Sequence, residues 1–137
     1  MKTFNKFVIL LVLSQIIFFQ NTFSYEKIKI GLIVPLSGEH ANLGNSIIKA
    51  IRMGVNKIDD KRFEIIIKDT RSNPIGSLRV SKELYNDGVR IIIGPVFNEN
   101  TKYLDELKDV TFISLTNKVY GNPTNVISAG VNAISQI

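Results

Sequence analysis

The stretch "KIKIGLIVPLSGEHANLG", Lys27 to Gly44, decides how this chain reads. An almost wholly apolar run stops at Pro35, a polar loop follows, and a long segment of helical apolar spacing comes next. The run "IGLIV" does not alternate polar with apolar, so it suits a parallel strand covered on both faces. From Asn42 to Ile58, residues Ile47, Ile48, Ile51, Val55 and Ile58 fall on one face of a helix. A strand that empties through a loop into a helix is the unit from which parallel α/β layers are built.

The same alternation continues. "FEIIIKD" (Phe63 to Asp69) is a second strand. Asn73-Pro74 opens a second helix, with Asn as N-cap and Pro at the first helical position, where its missing N–H costs nothing. Ile75, Leu78, Leu84 and Tyr85 are its expected buried stripe, and "NDG" ends it at Gly88. "VRIII" (Val89 to Ile93) is the third strand, stopped by Gly94-Pro95. Asn98 or Asn100 is the expected cap of a third helix running to about Leu107. "VTFISL" (Val110 to Leu115) is the fourth strand, the polar loop "TNKVYGNPTN" follows, and Val126 to Ser128 is a short fifth strand. Strands joined by single helices with short loops predict a doubly wound parallel α/β sheet with right-handed crossovers.

In such sheets ligands bind beyond the C-terminal ends of the strands, at the switch in strand order. Three loops are expected there: Pro35 to Leu43, Gly94 to Asn100, and Thr116 to Asn125. The first two lead into expected helix N-termini, whose free N–H groups and partial positive charge suit an anion such as a carboxylate. The first loop has no G-x-G-x-x-G, Pro35 stands where the tight glycine turn would be, and no P-loop pattern occurs, so a nucleotide fold is not indicated.

Composition narrows the classes further. The chain has 137 residues, enough for one domain. It has no cysteine, so no disulfide, thiolate metal site or cysteine nucleophile is available. One histidine, His40, cannot build a zinc site or an acyl-transfer triad by itself. No cofactor is implied and the chain is not expected to be an enzyme. Residues 1–24 read as a secretory signal peptide: Lys2 and Lys6 form the positive end, and "FVILLVLSQIIFF" (Phe7 to Phe19) the apolar core. Thr22 and Ser24 are the small residues before the cleavage point. An uncleaved anchor is the alternative, although the apolar core is short of the roughly 20 residues of a membrane span. Cleavage after Ser24 removes two lysines and no acid, lowering the net charge from +5 to +3. That is too mild to indicate nucleic acid. Without a cysteine to lipidate, the expected product is soluble and periplasmic.

At this point the residues carry a family likeness. "IKIGLIVPLSGEHANLGNSIIKAIRMGVN" is similar to the start of the type I periplasmic binding proteins, the leucine/isoleucine/valine-binding class. The likeness extends through Asp69 after the second strand, the Pro-started helix, the Gly-Val pair before "IIIGP", and "VTFISLTN". It covers Lys27 to the C-terminus. The resemblance implies a substrate-binding protein that delivers an amino acid or related small carboxylate to the membrane permease of an ABC importer. "IIIGPVF", "FISLTNK" and "VISAGVNAISQI" also resemble the penicillin-binding protein activators. That alternative would make the chain an interaction module for a periplasmic cell-wall synthase. Those proteins are usually lipoproteins, and this chain lacks the cysteine.

The resemblance places ligand contacts at Ser37 and Gly38 of the first loop and at Asn98, where the family commonly has a hydroxyl residue. Phe97 would wall the pocket, and Thr116 and Asn117 would contact the ligand's amino and carboxylate groups. Tyr120 is placed to stack on a ligand. Each has a plainer reading: a turn for Ser37 and Gly38, a helix cap for Asn98, ordinary loop positions for Thr116 and Asn117, a surface aromatic for Tyr120. His40 reads as a solvated loop residue, Asp69 as an organiser of the loop before Pro74. The family has two lobes closing on the ligand by a hinge, and residues 25–137 cover only part of the N-terminal lobe. The expectation is therefore a fragment of a longer protein, with free apolar surface and a free sheet edge. The alternative is a half-lobe that associates, for example as a homodimer.

Overall fold

The computed structural model describes residues 26–121 and 123–130. The signal-peptide reading lies outside them. The elements are β1 (Ile28–Val34), α1 (Ala41–Ile58), β2 (Phe63–Asp69), α2 (Pro74–Asn86), β3 (Ile91–Ile93), β4 (Thr111–Ser114) and β5 (Val126–Ser128). The five strands form one parallel sheet in the order β2-β1-β3-β4-β5. This is the expected doubly wound α/β layer, and its order reverses between β1 and β3. Among the described residues no helix is long and apolar enough to cross a membrane.

The register sorts the strand residues into two faces. On one, Gly31 lies level with Ile66 and Ile92, Ile92 with Phe112, and Phe112 with Val126. This face is sealed. Ile33, Ile92 and Phe112 are fully buried together with Val80 and Leu84 of α2, and with Val89, Leu104 and Val110. Gly31 makes room for the helix, since a β-carbon there would come within 2.7 Å of Leu84 Cδ1. The other face carries Ile30 level with Ile65 and Ile91, then Ile93, Ile113 and Ile127. Here α1 covers the sheet loosely. Of its expected stripe, Ile47, Ile48, Ile51 and Val55 are half-buried and Ile58 is 60% exposed. An apolar groove of about 240 Å³ remains between Ile51 and Val55 of α1 and Ile30, Ile65 and Ile93 of the sheet. Ile91 and Ile127 on this face are exposed.

The buried stripe of α2 differs from the expected one. Ile75 is 73% exposed, while Gly76, Ser77, Val80, Ser81 and Leu84 are buried. The stripe runs through small residues whose hydroxyls are satisfied inside the helix. Ser77 donates to the Asn73 carbonyl (3.1 Å) and Ser81 to the Ser77 carbonyl (2.7 Å). The start of α2 is as expected: Pro74 is its first residue, and Asn73 Oδ1 accepts from the Gly76 N–H at 2.6 Å. Asn73→Ala is expected to cost about 1 kcal/mol of folding stability, measured by urea unfolding.

Two strands are shorter than their sequence pattern. Val89 and Arg90 lie outside β3, Val110 and Leu115 outside β4. The expected third helix is replaced by two short 3-10 turns, Asn98–Thr101 and Leu104–Glu106. Neither asparagine caps it: Phe97 takes the cap position and no side chain bonds there. Asn125 Nδ2 donates to the carbonyls of Leu104 (3.0 Å), Leu107 (2.9 Å) and Val110 (3.2 Å), binding this segment to the β4–β5 connection.

Candidate functional site

Four loops gather at the C-terminal edge of the sheet. The β1–α1 loop leaves β1 at Pro35, turns at Gly38 (φ +75°) and enters α1, whose Ala41 N–H donates to the Gly38 carbonyl at 3.2 Å. No side chain caps α1 and its first turn holds no acid. The 18-residue helix therefore turns its positive dipole end to this loop, where the Leu43 and Gly44 N–H groups donate to the His40 carbonyl (3.1 and 3.2 Å). Its approach is very close: a β-carbon at Gly44 would lie 1.8 Å from the Pro35 carbonyl oxygen.

The β3 loop begins at Gly94 and is tied to β4. Gly94 N–H donates to the Ile113 carbonyl (2.8 Å), Leu115 N–H to the Pro95 carbonyl (2.9 Å), and the buried Ser114 hydroxyl also to Pro95 (3.3 Å). It feeds a 3-10 turn of four residues in place of the expected helix, whereas the β1 loop leads into the 18 residues of α1. The two loops that flank the switch meet through side chains. The His40 ring lies 4.8 Å from the Phe97 ring, tilted by 50°. The sequence reading left His40 in solvent; it is exposed, and it also closes the gap between the loops.

The β4 loop is held from below. Thr116 is 9% exposed, and its hydroxyl donates to the Lys118 carbonyl (3.0 Å) while accepting the Lys118 N–H (3.2 Å). Tyr120 N–H donates to Thr101 Oγ1 at 2.8 Å, stitching this loop to the first 3-10 turn. The Tyr120 ring is 52% exposed with the Lys102 ammonium 5.5 Å from its centre. Tyr120 borders two small clefts, one of about 270 Å³ with Pro74, Glu99 and Lys102 and one of about 220 Å³ with Thr101, Asp105 and Pro123.

Ser37, Gly38, Phe97, Asn98, Thr116 and Asn117 thus stand on the loops after β1, β3 and β4. Phe97 is half-buried; Ser37, Gly38, Asn98 and Asn117 are exposed. The Thr116 hydroxyl is occupied internally, and its carbonyl accepts from the Ser128 hydroxyl (2.6 Å) and the Gly130 N–H (3.3 Å). Larger depressions of about 410 and 450 Å³ lie at the opposite end of the sheet, around Asp59, Asp60 and Lys61. The Asp60–Arg62 ion pair fills that turn with a solvated charge pair (2.6 Å), and no loop of the switch point reaches it.

The fourth loop, between β2 and α2, carries a residue whose reach was not visible in the sequence. Asp69 Oδ1 accepts from the Arg71 N–H at 2.8 Å, holding a turn in which Arg71 and Ser72 are both left-handed (φ +52° and +56°). The same oxygen accepts from the Leu36 N–H of the β1 loop, also at 2.8 Å. Burial pushes the Asp69 carboxyl up. The Leu36 and Arg71 N–H groups, the Ser37 hydroxyl and the Arg71 charge outweigh it and hold the carboxyl below its usual value of 3.8. The stability it contributes is therefore complete above the unfolded-state value and is lost as pH falls through the lower folded value. Among the described residues no cluster of histidine and acidic side chains could hold a metal ion.

The five-strand parallel sheet with its flanking helices matches the type I periplasmic-binding fold. The family model described as "Periplasmic binding protein" matches residues 27–133, and the chain belongs to that family. Among solved structures it is similar to a solute-binding protein of an ABC transporter from Rhodopseudomonas palustris BisB5, in complex with 3,4-dihydroxybenzoic acid. The identity is 31% and the TM-score 0.60, over 67% of this chain and 28% of that one. A solute-binding protein from R. palustris in complex with 4-hydroxybenzoate gives 27% and 0.62, over 66% and 27%. The branched-chain amino acid transporter substrate-binding protein of Streptococcus pneumoniae, in complex with isoleucine, gives 24% and 0.64, over 74% and 33%. The chain spans about a third or less of each of these proteins. No curated protein matches it.

Proposed function

We propose that residues 25–137 form part of the N-terminal lobe of an extracytoplasmic solute-binding protein. It would receive an amino acid or related small carboxylate and deliver it to the permease of an ABC importer. Residues 1–24 would be the signal peptide that exports it to the periplasm. The observation that carries this reading is the meeting of the β1 and β3 loops at the strand switch, His40 against Phe97, in a chain of this family. The α1 N-terminus supplies a positive dipole suited to a carboxylate, Ser37 and Gly38 the turn before it. Phe97 offers an apolar wall, and Asn98, Thr116 and Asn117 polar contacts from two sides. The R. palustris relatives hold hydroxybenzoates and the S. pneumoniae relative holds isoleucine. Both solutes pair a carboxylate with an apolar body, which is what a dipole beside an aromatic wall would select.

A lobe that forms one wall of a cleft buries less of a ligand than a closed pocket, so weak, carboxylate-dependent binding is expected. Thermal denaturation with amino acids, hydroxybenzoates and their amides at millimolar concentration tests this. One class of carboxylate should raise the midpoint and its amide should not. No shift with any acid, together with capture of a periplasmic cell-wall synthase, would instead support the interaction-module reading.

A further inference from the structure

We propose that Asp69 is the positioning residue of the binding edge: a single carboxylate oxygen fixes the Ser37–Gly38 turn against the β2–α2 loop. The link of this turn to solute binding rests on the function proposed above; the positioning itself does not. Asp69 is the last residue of β2, level with Val34 at the end of β1. Two loops therefore leave the sheet side by side, and nothing in the ladder fixes their relative placement beyond the Thr70 N–H, which donates to the Val34 carbonyl at 3.0 Å. Asp69 Oδ1 supplies the missing constraint. It accepts the Leu36 N–H, 33 residues away, and the Arg71 N–H, both at 2.8 Å. Leu36 is the residue immediately before Ser37, and its own N–H cannot enter α1, which starts at Ala41. Without the carboxylate this partly buried N–H has no protein partner, and an unsatisfied N–H costs more than a hydrogen bond gains.

The Ser37 hydroxyl helps to hold the Asp69 carboxyl below its usual value, so the residue that opens the turn responds to the same charge. The charged surroundings of Asp69 are simple. Arg71 acts on it from its own loop; the β1 loop brings only the Leu36 N–H and the Ser37 hydroxyl; its β1 neighbour Val34 is apolar. Protonating Asp69 therefore weakens both links of one oxygen together.

The test is a pH titration of the ¹⁵N-labelled full chain, followed amide by amide, alongside Asp69→Asn. In the wild type the Leu36, Ser37 and Arg71 amides should shift with one shared midpoint below 3.8. In Asp69→Asn that titration should vanish, and the Ser37 and Gly38 amides should move while those of β3 stay in place. Separate midpoints for Leu36 and Arg71, or an unmoved Ser37–Gly38 turn in the variant, overturn the proposal. The wild-type titration decides it even if the variant folds poorly. Where isoleucine or 4-hydroxybenzoate binds the wild type, Asp69→Asn should weaken it about ten-fold, the loss of one charge-assisted hydrogen bond; unchanged affinity contradicts the role. If neither probe binds the wild type, the solute reading fails and the amide titration still decides the positioning.

Discussion

Gly44→Ala is expected to destabilise the chain by about 3 kcal/mol or more, although alanine is the better helix former. The added β-carbon would sit 1.8 Å from the carbonyl oxygen of Pro35 and 2.8 Å from its carbonyl carbon. Both are backbone atoms, so no rotamer change relieves the clash, and the first turn of α1 must lift from the β1 loop. The same helix provides its own control. A β-carbon at Gly54 meets nothing within 4 Å, so Gly54→Ala should stabilise by about 0.5–1 kcal/mol through helix propensity alone. Urea unfolding of the two variants reads opposite signs from one substitution type on one helix. Equal effects would show that α1 does not rest on the Pro35 loop.

Asn125→Asp is expected to cost on the order of 4 kcal/mol. The Asn125 amide nitrogen donates to three carbonyls, those of Leu104, Leu107 and Val110. A carboxylate of the same shape has no proton for any of them and sets a negative charge against three partial ones. Those repulsions and partial burial raise the pKa of the introduced carboxyl. Its folded value then lies above its unfolded one, so the penalty should shrink as pH falls through that raised value. Unfolding midpoints at pH 7 and pH 4, against the exposed control Asn117→Asp, check this. A constant penalty across that range would mean that the charge is not what destabilises the variant.

Asn125 also explains where sequence reading stopped. The strands were legible because "IGLIV", "FEIIIKD" and "VTFISL" are local apolar runs, and α1 and α2 because their spacing or caps are local too. The segment after Phe97 was not: it forms two short 3-10 turns, and the carbonyls at its end are taken by Asn125, 15 to 21 residues further on. The stripe of α2 was misplaced onto Ile75 because apolar side chains were taken as the guide. The helix instead buries Gly76 together with Ser77 and Ser81, and the two serine hydroxyls bond to the carbonyls of Asn73 and Ser77. At the binding edge, the three loops followed from the α/β alternation, whereas the reach of Asp69 to Leu36 and of His40 to Phe97 arises only once β1 stands between β2 and β3.

The central claim is that the C-terminal edge of this sheet receives a small carboxylate. The most direct measurement is a titration of the ¹⁵N-labelled full chain with isoleucine and, separately, 4-hydroxybenzoate at neutral pH. The account predicts that for one of them the amides of Ser37, Gly38, Phe97, Asn98, Thr116 and Asn117 shift together and saturably. Shifts confined to the apolar groove beneath α1, or none at millimolar concentration of either acid, would contradict it.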